Sequence, residues 1–300
     1  MSTPLKTGKS NHTPAGTLQT YYRLTKPGII YGNIMTAAAG FLFASKWHIV
    51  VRLAAATLGG MALVIASACV FNNYIDRGID KRMARTKKRA LVSGEISGRS
   101  ALTFASVLMV VGFFALGAWT NALVVWIGAI AFFDYVVLYG WSKRASVHGT
   151  IVGSISGSAP LVAGYVAVSA HFDVSALILF LIMTFWQMPH FYAIATYRYD
   201  DYKAAGLPVL PVARSVAAAK RQIVAYVVAF ALGNVALSVF GKAGVVYAVA
   251  MLALSLVWLM RGLRGFHAKD DVAWAKRMFL FSLIVVMGLS VFISVASILP

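Results

Sequence analysis

One stretch of the chain places carboxylates at a spacing suited to metal chemistry. Asn72, Asp76 and Asp80 follow one another at intervals of four residues. On a helix this interval stacks the three side chains on one face, about 5–6 Å apart. Carboxylates so placed repel each other unless a cation lies between them. Mg²⁺ suits the position, because it takes one or two carboxylates together with water and phosphate oxygens.

A basic cluster follows these carboxylates and could meet phosphate oxygens directly. It consists of Arg85, Lys87, Lys88 and Arg89. One interpretation is therefore a Mg²⁺-diphosphate site at the end of a membrane helix. The alternative is a solvated loop whose charges only fix the topology of a membrane protein. These residues alone leave both interpretations open.

The composition excludes an ordinary soluble domain. The mean hydropathy is +0.78, and only 12% of the residues are charged. The net charge of +18 would suit nucleic acid, but the basic residues fall between apolar runs rather than on one surface, so we expect no nucleic-acid partner. The single cysteine, Cys69, excludes a disulfide framework.

Nine apolar runs are long enough to span a bilayer, so the sequence predicts an all-α, polytopic membrane protein with nine transmembrane helices. We expect residues 1–21, which are polar and lack a signal peptide, to form a disordered cytoplasmic tail, and residues 22–300 to form a single transmembrane domain. The runs cover residues 28–45, 50–71, 101–118, 122–141, 149–169, 174–197, 221–240, 243–260 and 278–298.

The distribution of basic residues predicts the orientation of the chain in the membrane. With the N-terminus in the cytoplasm, 24 of the 27 lysines and arginines fall on that side. The three that lie opposite are Lys46, Arg52 and Lys242. Cytoplasmic loops carry such an excess of positive charge, so we expect a cytoplasmic N-terminus and a C-terminus on the other side.

A second polar cluster ends the sixth run, between Trp186 and Lys203. This run and the second both lead toward the cytoplasm, so their acidic ends lie at the same depth and could hold two Mg²⁺ ions on one diphosphate. Asp200 and Asp201 are adjacent and point about 100° apart on a helix. We expect Asp201 to face the site.

Two ionisable residues lie at membrane depth. His190 follows Pro189, which removes a backbone hydrogen bond and is expected to open the helix locally. A polar residue at this depth indicates function, and the alternative is a histidine that only hydrogen-bonds within the bundle. Asp134 lies in the middle of the fourth run, where an unpaired carboxylate costs roughly 2.5–3.5 kcal/mol. It must be protonated, paired or in contact with a wet cavity, and the sequence leaves these choices open.

Several motifs carry a resemblance to a known family. The pattern Asn72-x3-Asp76-x3-Asp80 with Arg85-Thr86 resembles the first signature of the intramembrane prenyltransferases. Two departures from the family pattern are Ala205, where the second motif usually has an aspartate four residues after Asp201, and Asp134, which has no counterpart. Further segments are similar to the haem-farnesylating branch of that family: Leu24-Thr25-Lys26-Pro27-Gly28, Val70-Phe71-Asn72-Asn73-Tyr74, Gly157-Ser158-Ala159-Pro160, Trp186-Gln187-Met188-Pro189-His190 and Pro208-Val209-Leu210-Pro211.

The resemblance implies a nine-helix bundle around a central cavity that opens toward the cytoplasmic side of a bacterial inner membrane. It also implies a reaction in which farnesyl diphosphate, haem B and water give haem O and diphosphate. Haem B is then a substrate rather than a cofactor, and two Mg²⁺ ions assist the ionisation. A terminal oxidase or haem A synthase would take the product, as in the family.

The resemblance also distributes roles among residues of this chain. The implied ligands of the catalytic metal ions are Asp76, Asp80 and Asp201, with Asn72 as a further ligand. Contact with haem falls to His190, as iron ligand or as proton acceptor, two roles that stay open. Diphosphate binding falls to Arg85, Arg89, Lys143 and Arg144, with Lys26 and Arg198. Stabilisation of an allylic cation falls to the aromatic residues Tyr74, Tyr139, Trp186 and Tyr197, for which an interfacial belt is the alternative.

Two rival functions remain at this point. A prenyltransferase that acts on a hydroxybenzoate or quinone precursor would share the aspartate motif. A non-enzymatic transporter would fit nine spans and the buried Asp134. Transporters usually bind substrate near the midplane of the bilayer, whereas these carboxylates cluster at one face, which disfavours that alternative.

Overall fold

A computed structural model describes residues 14–299, with side chains from residue 18 onward. Residues 1–13 of the expected tail lie outside this part. The first helix, α1 (Pro14–Leu24), begins inside the segment that was expected to be disordered up to residue 21. The described residues form helices and no β-strand, so the expected all-α class is confirmed.

Within residues 14–299, nine helical segments are long and apolar enough to cross a membrane, as the sequence predicts. The protein is therefore a multi-pass membrane protein. The segments are α2 (Pro27–Ser45), α3 (Val51–Asp80), α5 (Gly98–Trp119), α6 to α7 (Ala122–Ala145), α8 (Gly149–Ser169), α9 (Val174–Tyr197), α12 (Val216–Phe240), α13 with a following 3₁₀ turn (Val245–His267) and α14 (Asp271–Val295). The short helices between them are α4 (Ala90–Ser93), α10 (Tyr199–Ala204) and α11 (Leu210–Ala213).

Helix α3 extends well past the apolar run that predicts it. The run ends near residue 71, but the helix continues without a break through Asn72 to Asp80, for 30 residues in all. At 1.5 Å per residue it is about 45 Å long, against a hydrocarbon core of about 30 Å. Its last turns therefore carry polar side chains at the edge of the membrane. We call this end of the bundle, where α2 begins and α3 and α9 end, the polar end.

Helices α8 and α9 contain long buried segments, whereas α5, α6, α12 and α13 expose large apolar side chains such as Val110, Trp126, Leu232 and Val249. An exposed apolar surface of this kind is suited to contact with lipid. Each helix that lines the interior thus faces protein on one side, and the outer helices face the bilayer.

The fourth span contains an irregular turn. Between α6 (Ala122–Phe133) and α7 (Tyr139–Ala145) lies a π-helical turn, Asp134–Leu138, a feature that is rare and often found near functional sites. Asp134 is buried, and its Oδ2 accepts a hydrogen bond of 3.2 Å from the backbone N–H of Ser156. Its Oδ1 is buried and has no hydrogen-bond partner among the residues that the structure describes. The carboxyl group is thus held by a backbone donor of α8 rather than by a cation.

The expected opening of the sixth span at Pro189 is wrong. Helix α9 continues as a regular helix from Val174 to Tyr197, with Pro189 inside it. Proline removes one backbone donor, and neighbouring helices often compensate for this loss in membrane proteins.

Two glycines allow α2 and α8 to pack closely. A Cβ on Gly164 would overlap the backbone carbonyl of Ala37, and a Cβ on Gly40 would overlap the carbonyl of Leu161. Small residues serve this purpose in membrane bundles, because they let two backbones approach each other. The packing of α2 against α8 places the start of α2 beside the site described below.

We expect Gly164→Ala to destabilise the protein by about 1–3 kcal/mol, because the new methyl group must push α2 away from α8. Thermal unfolding in detergent would measure the change. Gly117→Ala is the matched control, since Gly117 is exposed on α5 with open space around its Cα. Equal stability of the two variants would contradict a close contact between the backbones.

Candidate active site

A cavity of about 830 Å³ enters the bundle from the polar end. Its volume lies within the range of about 300–1,000 Å³ that is usual for ligand sites. The deeper wall is apolar, and the wall at the polar end carries cationic side chains. The apolar part includes Met61, Val64, Leu116, Val124 and Ile127, and the cationic part includes Lys26, Arg85, Arg89, Lys143 and Arg198.

The two polar clusters predicted from the sequence meet at this end. Met83, in the loop after α3, packs in one buried cluster with Ala205 and Leu207, which follow α9. The segments that follow the second and sixth spans are therefore in contact. Ala205, the departure from the family motif, is buried in this contact.

Asn72, Asp76 and Asp80 are all buried on one face of α3, as the spacing predicts. The cations that compensate the carboxylates come from the chain itself. Asp76 Oδ2 pairs with Lys143 Nζ at 2.5 Å, and Asp76 Oδ1 pairs with Arg144 Nη2 at 3.0 Å. The repulsion argued from the sequence therefore does not by itself require a metal ion.

Asp80 has its own cation, which a neighbouring amide orients. Arg89 Nη1 donates to Asp80 Oδ2 at 2.7 Å and to Asn73 Oδ1 at 3.2 Å. Asn73 Nδ2 in turn donates to the backbone oxygen of Leu24 at 2.8 Å. Asn73 thus ties the end of α1 to the basic loop after α3. No role was predicted for Asn73 from the sequence, although it stands next to Asn72 in one of the motifs.

Lys26 reaches the same place from an unusual backbone conformation. It precedes Pro27 with φ 56° and ψ 65°, the left-handed region that a residue with a side chain seldom adopts. Its Nζ donates to Asn72 Oδ1 at 3.3 Å. Burial lowers the pKa of Lys26 to about 8. At pH 7 the amine therefore still carries its proton.

The cations, and not the carboxylates of α3, form the wall of the cavity. Lys26, Arg89 and Lys143 line it, whereas Asp76 and Asp80 lie behind them and are absent from the lining. An anionic group in the cavity would therefore meet positive charge first. Arg144 does not line the cavity and instead bonds Asp76 and the backbone oxygen of Ile75 at 3.0 Å. The structure thus separates Arg144 from the other cations assigned to diphosphate.

The oxygen atoms on this face of α3 are of the kind that Mg²⁺ binds, and each of the three side chains is paired with a cation of the chain itself. The face offers two buried carboxylates and one amide oxygen, which are hard oxygen ligands, and Mg²⁺ completes its shell with water and phosphate. Asn72 Nδ2 is buried and has no acceptor among the described residues, so this N–H group could donate to an oxygen of a bound ligand. In the part of the chain that the structure describes, no three histidine, cysteine or acidic side chains converge. A metal ion here would depend on substrate oxygens.

The second acidic cluster supplies a single carboxylate to the cavity. Asp201 is half-buried, lines the cavity and lies 3.9 Å from Arg198, whereas Asp200 is exposed. The geometry therefore agrees with the choice of Asp201 over Asp200. Tyr202 lies beside it, and burial raises the pKa of this phenol.

Three of the four aromatic residues assigned to an allylic cation line the cavity: Tyr139, Trp186 and Tyr197. Tyr139 stacks on Tyr135, with ring centroids 5.7 Å apart. Tyr135, to which no role was assigned from the sequence, also lines the cavity. Tyr135 lies in the π turn, and Tyr139 and Lys143 follow it in α7.

Tyr74 is the fourth of these aromatic residues, and the structure does not bring it to the others. Its ring lies under the guanidinium of Arg77, 4.0 Å from ring centroid to Cζ, and against Gly98. It is absent from the cavity wall. This placement corrects its assignment to the prenyl group, because a side chain on the far side of α3 cannot reach a ligand in the cavity.

The Trp186–His190 segment lines the cavity and is fixed by hydrogen bonds to two other helices. Gln187 Nε2 donates to Ser158 Oγ at 3.0 Å on α8. Trp186 Nε1 donates to the backbone oxygen of Ser282 at 2.8 Å, and His190 Nδ1 lies 2.7 Å from Ser282 Oγ. Ser282 was not predicted from the sequence. A buried serine in an otherwise apolar run was the signal that could have indicated it.

Comparison with known proteins supports this geometry. Residues 33–284 match the model of the UbiA prenyltransferase family. A protein named protoheme IX farnesyltransferase from Klebsiella pneumoniae is 49% identical over 281 residues, which cover 93% of this chain and 95% of the relative. A protein of the same name from Escherichia coli is 48% identical over 281 residues, with the same two coverages.

Solved structures show the same fold. A digeranylgeranylglyceryl phosphate synthase superposes with a TM-score of 0.78 at 18% identity, covering 94% of this chain and 98% of the other. A UbiA homologue from Archaeoglobus fulgidus, bound to GPP and Mg²⁺, superposes with a TM-score of 0.68 at 17% identity, covering 91% and 99%. The match of the family model over most of the sequence and the relatives near 48% identity agree with the aspartate motif on α3. The chain belongs to the UbiA prenyltransferase family.

Proposed function

We propose that this protein transfers the farnesyl group of farnesyl diphosphate to a vinyl group of haem B, with addition of water, to give haem O and diphosphate. The observation that carries the proposal is the cavity, which joins a cationic wall at the polar end to a deeper apolar wall. An isoprenoid diphosphate has the same division between a charged head and an apolar tail. The names of relatives at 48–49% identity support haem as the acceptor.

The first step breaks the bond between C1 of the farnesyl group and the diphosphate oxygen. The electron pair leaves with the diphosphate, so negative charge grows at the polar end of the cavity. Lys26, Arg89 and Lys143 line that region and are already held in place by Asn72, Asp80 and Asp76. Donors fixed in advance stabilise developing charge without reorganisation.

We assign one Mg²⁺ to Asn72, Asp76 and Asp80, and a second ion to Asp201. When bound, Mg²⁺ supplies positive charge to the diphosphate and makes it a better leaving group. The chain's own part is to hold these oxygen ligands on one helix face. The second ion has one carboxylate rather than two, because Ala205 takes the place of the second.

The allylic cation formed in this step needs protection from water and stabilisation of its charge. Tyr139, Trp186 and Tyr197 present ring faces or edges to the cavity, and a cation–π contact contributes about 0.5–2 kcal/mol. The apolar wall around Val64 and Ile127 accommodates the tail and excludes water.

The acceptor then supplies the electrons for the new bond. The π pair of a haem vinyl group forms a C–C bond to C1 of the farnesyl group, and the positive charge moves to the carbon next to the porphyrin. Water adds to that carbon and loses a proton, which gives the hydroxyethylfarnesyl group. We assign the contact with haem to His190, as iron ligand or as proton acceptor.

The setting that we propose follows from the charge distribution and the relatives. The protein would lie in a bacterial inner membrane with its N-terminus in the cytoplasm, and residues 22–300 would act as one domain. The polar end then faces the cytoplasm. A terminal oxidase or haem A synthase would receive the product.

The direct test supplies purified protein in lipid nanodiscs with farnesyl diphosphate, Mg²⁺ and either haem B or 4-hydroxybenzoate. We expect release of diphosphate and a farnesylated, hydrated haem by mass spectrometry only with haem B. Prenylation of the hydroxybenzoate instead would show that the protein is a prenyltransferase for a hydroxybenzoate or quinone precursor. Absence of product with both acceptors would overturn the proposed reaction.

We expect Asp76→Asn to lower turnover by more than about 100-fold, because the site loses a charge that organises both the metal ion and Lys143. Turnover of farnesyl diphosphate with haem B measures the effect. Asp200→Asn is the matched control, since Asp200 is an exposed carboxylate at the same end. An immunoblot of the membrane fraction should show equal amounts of both variants. Retained activity in Asp76→Asn would remove the metal assignment.

We expect His190→Ala to abolish haem O formation while the affinity for farnesyl diphosphate stays within about twofold, because His190 is assigned to the acceptor only. Binding of a non-hydrolysable farnesyl diphosphate analogue, measured by calorimetry, separates the two effects. If haem O formation and binding of the analogue were lost to the same extent, His190 would stabilise the whole bundle rather than contact the acceptor. His171→Ala, at an exposed turn between α8 and α9, is the control.

A further inference from the structure

Ser282 of α14 fixes two adjacent features of the cavity wall at once. Its backbone oxygen accepts the indole N–H of Trp186 at 2.8 Å, and its Oγ lies 2.7 Å from His190 Nδ1. Ser282 itself is fully buried, and His190 is 9% exposed. A single residue of the last span therefore holds the tryptophan and the histidine of α9 in one orientation.

The hydrogen-bond count at Ser282 decides which nitrogen of His190 carries the proton. A serine hydroxyl has one hydrogen to donate. Ser282 Oγ lies 2.6 Å from the backbone oxygen of Phe279 and donates to it. The hydroxyl must then act as acceptor toward His190, so Nδ1 carries the hydrogen and donates it. In a neutral imidazole, Nε2 then carries the lone pair that can accept a hydrogen bond or bind a metal ion.

The other nitrogen, Nε2, belongs to a ring that lines the cavity. His190 lines the cavity, and among residues 18–299 no group forms a hydrogen bond with its Nε2. The ring is held between aromatic neighbours, with centroids 4.8 Å from Trp186 in a stacked arrangement and 5.1 Å from Phe279. The imidazole is thus fixed in both rotation and tautomer, and its basic nitrogen is left for a ligand.

We propose that Ser282 is a positioning residue that holds His190 as the Nδ1–H tautomer, so that Nε2 donates its electron pair to the iron of the porphyrin acceptor. A metal-binding histidine commonly donates its other N–H to an oxygen in this way, which fixes the ring and raises its strength as a ligand. The choice of iron rests on the proposed function. The tautomer does not, because it follows from contacts within the protein.

The tautomer is tested without substrate. ¹⁵N-histidine NMR of the full chain in nanodiscs distinguishes a protonated from an unprotonated ring nitrogen, and the His190 signals are assigned by difference from His190→Ala. We expect a protonated Nδ1 and an unprotonated Nε2 in the wild type and in Ser282→Thr, which keeps the hydroxyl. Ser282→Ala should shift the population toward the other tautomer. A protonated Nε2 in the wild type would overturn the proposal.

Iron ligation is tested by titrating the same proteins with ferric haem B. The optical and EPR spectra of the haem show whether a nitrogen atom is bound to the iron as an axial ligand. We expect binding to weaken about tenfold in Ser282→Ala and to recover in Ser282→Thr. Ser290→Ala is the matched control, since Ser290 is a buried serine of the same helix whose Oγ donates only to the backbone oxygen of Val286, at 2.8 Å. The control should bind like the wild type.

The outcomes separate the two proposals. If the wild type does not bind haem, the proposed function fails, while the NMR result still decides the role of Ser282. If the wild type binds haem and Ser282→Ala matches Ser290→Ala in both measurements, Ser282 has no positioning role and the proposed function stands. If Ser282→Ala does not reach the membrane, Ser282→Cys takes its place with the same expected results, because a thiol is close in size and a weaker acceptor.

Discussion

The ion pair between Asp76 and Lys143 is the interaction on which the site depends. It joins α3 to the end of the fourth span at 2.5 Å, and Arg144 adds a second contact to the same carboxylate. Removing one partner of a buried pair is costly, because the other charge is left without compensation. The pair thus fixes the distance between two helices and, at the same time, places a cation at the wall of the cavity.

The remaining polar contacts extend the same arrangement around the polar end. Arg89 bonds Asp80, and Lys26 bonds Asn72, so each polar side chain on the face of α3 has its own cation. These cations come from three separate segments of the chain. The carboxylates of α3 therefore hold cationic side chains at the wall of the cavity. From the helix to the cavity, negative charge comes first, positive charge second and the anionic substrate third.

Much of the architecture could be predicted from the sequence because the bilayer imposes simple requirements on length and polarity. The nine spans follow from the length of the apolar runs, and the shared face of Asn72, Asp76 and Asp80 follows from their spacing. The spacing of Asp200 and Asp201 indicated only that one of the two faces the site. Contacts between distant segments could not be predicted in this way. Tyr74 has the right residue type at the right depth, yet it lies on the other side of α3 from the cavity. Ser282 is separated from His190 by 92 residues, so only the packing of α14 on α9 reveals it.

The left-handed backbone of Lys26 has a consequence for how this position could change during evolution. A residue with a Cβ is strained at φ 56°, by an amount on the order of 1–2 kcal/mol, and glycine would relieve that strain. Glycine would also remove the amine that, among the described residues, reaches Asn72. A change to glycine would therefore relax the backbone at the cost of a cation at the cavity wall.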